Sequence, residues 1–172
     1  MSLIRKLTTG LLVGALFIGM QPSTEAADDV VSEKQIVRAL KKSGGTVFPI
    51  GNPNTAYERY FTGRSWLYAL TGADDNVVTA NVTFEPGCIN HWHIHHGSCQ
   101  VLAGVSGRGY YQIWGDEVQE LLPGQSVTIP EGTKHWHGAQ NGSWFQHLAI
   151  MSVGAETEWL EPVDPFEYSK LQ

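Results

Sequence analysis

Four of the seven histidines stand within six positions, in "HWHIHH" at residues 91–96, and a second "HWH" follows at 135–137. An imidazole does two kinds of chemistry near neutral pH. Its unprotonated nitrogen binds a transition metal, and it gives or takes a proton. His93 and His95 are two positions apart, so on a β-strand both rings project to the same face, close enough to share one ion. His91 has the same parity. Pairs of this kind are common on ordinary strands, so the spacing alone does not separate a metal site from a solvated face.

The flanking residues add constraints. The first block reads Gly87, five residues, His93-x-His95, four residues, Gln100, six residues, Gly107. The second reads Gly124, five residues, Pro130-x-Gly132, two residues, His135. Together they resemble the paired motifs of the cupin superfamily, with Gln100 where a Glu is commoner. The resemblance implies an all-β double-stranded β-helix, or jelly-roll barrel, with His93, His95, Gln100 and His135 as ligands of a divalent transition metal. Mn or Fe is favoured by the family, whereas ligand type alone also admits Zn, Ni or Cu. In this register a turn glycine starts the strand of the two histidines, a tight hairpin returns Gln100 to face them, and the Pro-x-Gly turn presents His135.

Two alternatives attach to this ligand set. A register using His91 and His93 leaves Gly87 and Gln100 at the wrong distances, so His91 is expected at the strand edge near the site. Cys99 would serve as a thiolate ligand if the gap after His95 were three residues, but the six-residue gap to Gly107 selects Gln100. With four neutral ligands a divalent ion keeps its full charge, which suits Lewis-acid work on an anionic or oxyanionic group. His137 shares a face with His135, and His147 lies in the strand-like "WFQHLAI". Near a dication both should stay neutral at pH 7, the state that accepts a proton. Trp92, Ile94 and Trp136 alternate with the histidines and should point away from the metal, into the layer between the sheets.

The stretches "FEPGCINHWHIHHGSCQ", "PEGTKHWHGA", "HLAI" and "EWLEPVDPFEY" are similar to a group of small bacterial monocupins. The group includes manganese-dependent hydroxynitrile lyases and cupins found alongside carboxymuconolactone decarboxylase. The likeness spans about Val47 to Tyr168 and implies His137 and His147 as active-site residues around the metal. It implies a lyase or related Lewis-acid enzyme on a small carbonyl or hydroxy compound. A cupin dioxygenase and a non-catalytic periplasmic binding cupin are the alternatives. The chain departs from the group by one extra residue between His95 and Gln100, with His96 where Pro is usual, and Ala139 stands where many cupins carry Asn.

The elements that must position these residues follow from the texture of the chain. From Thr46 onward, short runs rich in β-branched and aromatic residues are separated by Gly, Pro, Asn and Asp, an all-β pattern. Val78, Ala80, Val82 and Phe84 alternate with Thr79, Asn81 and Thr83, as in a half-buried strand. Before that, Ser32 and Gln35 form a capping box ahead of Ile36, Val37 and Leu40, predicting one amphipathic helix that ends before Gly44 and packs on the outside of the domain or on a second subunit.

The first 26 residues have the marks of an export signal. Arg5 and Lys6 precede the apolar run Leu11 to Met20, too short for the about 20 residues of a spanning helix, and the small-residue stretch "TEAAD" places cleavage near Ala26. The expected layout is a signal peptide at 1–26, a helix and linker at 27–45 and a cupin domain at 46–172, working in the periplasm or outside the cell. A net charge of −6 disfavours nucleic acid and anionic membranes as partners. The expected partners are a small-molecule substrate and, from the family resemblance, a second copy in a homodimer. The two cysteines, Cys88 and Cys99, are expected to be unbridged, being out of register across the predicted hairpin.

Overall fold

The computed structural model describes residues 31–42 and 46–171, so the predicted export signal lies outside the described residues. The capping box forms as expected. Ser32 N–H donates to Gln35 Oε1 at 2.8 Å, and Gln35 N–H reaches back to Ser32 Oγ at 3.4 Å. Helix α1 (Glu33–Lys42) then runs to two lysines in its last turn, where they complement the helix dipole.

The first strands are β1 (Asn52–Pro53), β2 (Phe61–Thr62), β3 (Ser65–Ala69) and β4 (Val77–Phe84), followed by β5 (Ile89–Asn90), β6 (His93–His96) and β7 (Gln100–Gly107). Next come β8 (Gly109–Ile113), β9 (Gln119–Leu121), β10 (Ser126–Ile129), β11 (His135–Ala139), β12 (Phe145–Ser152) and β13 (Glu156–Trp159). A short helix, α2 (Pro165–Ser169), closes the chain, capped by Asp164, whose side chain accepts from Phe166 N–H. The sequence patterns did not call for this helix.

The strand pairings among the described residues are antiparallel and fall into two sheets. One runs β1-β3-β4-β12-β7-β10; the other runs β13-β6-β11-β5-β2, with β8 and β9 continuing from β11. Between them sits an apolar core that includes Val82, Phe84, Leu102, Ile129 and Phe145. The fold is all-β with an amino-terminal helix, as expected.

Three expectations need correction. First, β6 and β7 do not form a hairpin. β6 pairs with β11 and β13, whereas β7 pairs with β10 and β12, so the short Gly97-Ser98-Cys99 turn carries the chain from one sheet to the other. Gly97 has φ of 80° there, a conformation other residues rarely adopt. Cys88 is buried, Cys99 is exposed, and both are free thiols.

Second, β4 is buried on both faces in its second half. Asn81 and Thr83 have no exposed surface, because α1 covers the outside of that sheet through Ile36 and Leu40 packed with Ile50 and Trp66. The polar residues there are hydrogen-bonded: Asn81 Nδ2 donates to Pro49 O at 2.9 Å and Gln146 Nε2 to Thr83 Oγ1 at 2.9 Å.

Third, Trp92 and Trp136 turn away from the histidines, but not into the layer between the sheets. They pack with Ile89, Tyr110, Val163 and Tyr168 on the outside of the second sheet, under the carboxy-terminal segment. Gly138 makes room for this, since a Cβ there would lie 2.4 Å from the Tyr168 hydroxyl. That hydroxyl donates to Ala139 O.

Candidate metal centre

Strand alternation places His93 and His95 inward from β6, at 1% and 4% exposure, while His96 points outward to Glu158, 2.8 Å away. The Pro130-x-Gly132 turn sets the start of β11. Gly132, with φ of 73°, donates its N–H to His95 O at 2.9 Å, which ties the turn to β6. His135 then stands opposite His93 in the strand register. Among the described residues, His93, His95 and His135 are the group able to hold a metal ion, each offering a ring nitrogen within 4.8 Å of the others.

The second nitrogen of each ring is held by the chain. His93 Nδ1 lies 2.9 Å from His91 O, His135 Nδ1 lies 2.9 Å from Thr133 O, and His95 Nδ1 lies 3.0 Å from Thr157 Oγ1. A carbonyl only accepts, so His93 and His135 carry their protons on Nδ1 and present Nε2 as a bare lone pair. Such outer bonds fix the tautomer of a metal-binding imidazole. His95 Nε2 is buried with no hydrogen-bond partner.

Gln100 enters from the other sheet at 4% exposure, its Oε1 2.9 Å from His135 Nε2. With the His135 proton on Nδ1, these two atoms face each other lone pair to lone pair. A cation held by both atoms would turn that repulsion into attraction. The donor set thus fits a divalent ion, and three imidazoles with one amide oxygen suit several transition metals.

Burial reinforces the neutral state of every ring. It is the main reason that His93 and His95 are held below the ordinary imidazole range and His135 is lowered to about 4. Neutral imidazole is the form a metal needs.

His137 lies beside this cluster, and His147 lies beside His137. The ring centroid of His137 is 5.6 Å from that of His93 and 4.7 Å from that of His147. Phe84 stacks on His137 at 5.6 Å and meets His147 edge-on at 5.1 Å. Burial takes His137 well below its ordinary value and His147 to about 3. Both nitrogens of His147 and Nδ1 of His137 are buried without a partner.

The structure brings together all six residues singled out in the sequence: His93, His95, Gln100, His135, His137 and His147. It sets three others apart. His91 contributes its carbonyl rather than its ring, His96 is exposed, and Cys99 is exposed.

Three neighbours escaped sequence reasoning. Asn90 contacts His137, Thr157 contacts His95, and Trp159 lies 4.9 Å from His93 while stacking on Tyr60 at 4.6 Å. Asn90 had a faint signal, since Asn is depleted in strands and stands here in "CINHW". Of the other tryptophans, Trp66 and Trp144 pack near α1, and Trp114 is exposed under Lys134.

Two stacked antiparallel sheets with three inward imidazoles define a β-barrel of the cupin kind with a metal-competent interior. The cupin domain family model matches residues 80–144. The chain is 38% identical over 115 residues to (R)-mandelonitrile lyase of Granulicella tundricola, covering 64% of this chain and 87% of that protein. A cupin-like protein from Thermotoga maritima superposes with a TM-score of 0.67 at 32% identity, covering 74% of this chain and 97% of that one. A cupin 2 conserved barrel domain protein from Rhodopseudomonas palustris shares the fold, with a TM-score of 0.55 at 16% identity over 63% of this chain and 74% of that one. The chain belongs to the cupin family.

Proposed function

We propose that this cupin is a metal-dependent lyase acting on a small hydroxy or carbonyl compound, with cyanohydrins as the first substrate class to test. The observation that carries this is a three-imidazole cluster in contact with buried, neutral His137, which in turn meets buried, neutral His147, both with uncommitted ring nitrogens. The similarity to a mandelonitrile lyase points the same way.

A divalent ion held by His93, His95, His135 and Gln100 supplies Lewis acidity, favouring negative charge on a substrate oxygen. The chain supplies the rest. His137 or His147, neutral at pH 7, takes the hydroxyl proton. The carbon–carbon bond to the nitrile breaks with its electron pair leaving on cyanide, the carbonyl forms, and cyanide recovers the proton as hydrogen cyanide. Phe84 and Phe145 against the histidine rings keep the proton acceptor out of water.

The test is elemental analysis of the purified protein, followed by turnover of mandelonitrile before and after chelation, without oxygen. Stoichiometric transition metal with chelator-sensitive, oxygen-independent release of cyanide supports the lyase. Absence of stoichiometric transition metal removes its basis. Turnover only with oxygen makes the protein a dioxygenase, and ligand-induced stabilisation without turnover makes it a binding module.

The same reading takes residues 1–26 as a cleaved export signal, with the mature protein periplasmic or secreted and homodimeric. Amino-terminal sequencing and sedimentation of the mature protein test both.

A further inference from the structure

His137, beside the histidine cluster, and His147, beside His137, are not equivalent, and Asn90 is what separates them. Asn90 is buried on β5, with 1% exposure, next to β11. Its Oδ1 accepts the backbone N–H of His137 at 2.9 Å, and its Nδ2 lies 2.8 Å from His137 Nε2. A backbone N–H only donates, so the amide atom facing it must be oxygen. The other end of the amide is then NH2, which also only donates. His137 Nε2 is therefore an acceptor without a proton, and the neutral ring carries its hydrogen on Nδ1.

That Nδ1 is buried and bonded to nothing. A buried donor left unpaired is costly, so it points to an acceptor that the chain itself does not provide. Turning the Asn90 amide to free Nε2 would set its NH2 against the His137 backbone N–H, donor against donor. His147 has no such constraint, because neither of its ring nitrogens has a partner.

We propose, building on the lyase reading above, that Asn90 is a positioning residue that fixes His137 as a hydrogen-bond donor through Nδ1, leaving proton transfer to His147. His137 then holds an acceptor atom of the substrate, the hydroxyl oxygen or nitrile nitrogen of a cyanohydrin. His147 takes the hydroxyl proton as the carbon–carbon bond breaks and returns it to the departing cyanide, so the cycle closes with no other reactant.

The tautomer of His137 can be read without turnover. Ring nitrogen-15 spectra of the full chain, loaded with diamagnetic zinc and labelled on histidine, are assigned by comparison with His137→Gln. The expected wild-type spectrum has His137 Nδ1 protonated and Nε2 bare. Asn90→Asp, whose carboxylate only accepts, should move the proton to Nε2 and lower kcat at least about tenfold with metal content unchanged. A wild-type proton on Nε2, or an Asn90→Asp spectrum identical to wild type, overturns the assignment of Asn90 even if cyanohydrins are cleaved. Should Asn90→Asp not fold, the wild-type spectrum decides by itself. A proton on Nδ1 in a protein that releases no cyanide leaves the role of Asn90 standing and overturns the lyase reading instead.

Discussion

His93, His95 and His135 each have one ring nitrogen tied to an oxygen of the chain, whereas His147, just as deeply buried, has neither nitrogen bonded. The difference separates two uses of one side chain. An imidazole that binds a metal must present a fixed lone pair in a fixed direction, and a bond to its far nitrogen does this. One that carries a proton needs nitrogens free to meet a changing partner, at the cost of leaving them unsatisfied between turnovers. His137 stands between these cases, with one nitrogen held by Asn90 and the other open.

The largest expected effect tests the held group. His135→Ala removes one ring of the cluster, 4.1 Å from His93 and 5.4 Å from His95. Metal content should drop from stoichiometric to background and turnover with it, measured by elemental analysis and cyanide release. Retention of full metal would break the comparison at its first term.

His147→Leu tests the free group. It should leave metal content unchanged and lower kcat by about 10²–10⁴-fold, the usual contribution of a positioned acid or base. Loss of metal in this variant would place His147 with the held group instead.

Thr157→Val keeps the shape beside His95 and deletes the hydroxyl 3.0 Å from its Nδ1. Metal affinity should weaken about 10–100-fold, as for other bonds that orient ligands. A competition titration with a chelator reads this directly.

The smallest effect is on stability against pH. His147 has its pKa lowered from 6.5 to about 3 by burial. Below pH 6.5 the unfolded chain takes a proton on this residue while the folded chain does not until about pH 3. Stability is therefore complete above that window and falls as pH falls through it, by up to about 1.4 kcal/mol per pH unit for this group. Urea melts between pH 6 and pH 5 should show a shallower loss in His147→Leu than in wild type; equal slopes would mean the ring already charges when folded.

Much of the centre was legible in the chain. The parity of His93 and His95, the glycines and Pro130-x-Gly132 at their spacings, and the offset from His135 to His137 are local rules, and local geometry obeyed them. The hairpin expected after His95 was wrong for an instructive reason. A turn of three residues looks the same whether the next strand folds back on its own sheet or crosses to the facing one. The crossing lets Gln100 approach the histidines from across the barrel rather than from beside them. The extra residue before Gln100 lies in that crossing.

Other parts were illegible because their partners are remote. Asn90 and His137 are 47 positions apart, and Thr157 and His95 are 62 apart. No period or spacing links such pairs. Likewise the alternation of Trp92 and Trp136 with the histidines shows that they take the opposite face, but not that the carboxy-terminal segment covers it. The mixed pattern of β4 shows one apolar face, but not that α1 buries the polar one.

Which residue types line the inward face of each strand, and where the chain must turn, follow from the order of the amino acids alone, because side-chain alternation and positive φ are properties of the local backbone. What stands across from them depends on the folded chain: Thr157 against His95, Asn90 against His137, and nothing against the nitrogens of His147. Those two contacts join strands that are neighbours in one sheet but far apart in the chain, so they exist only once β13 has paired with β6 and β5 with β11.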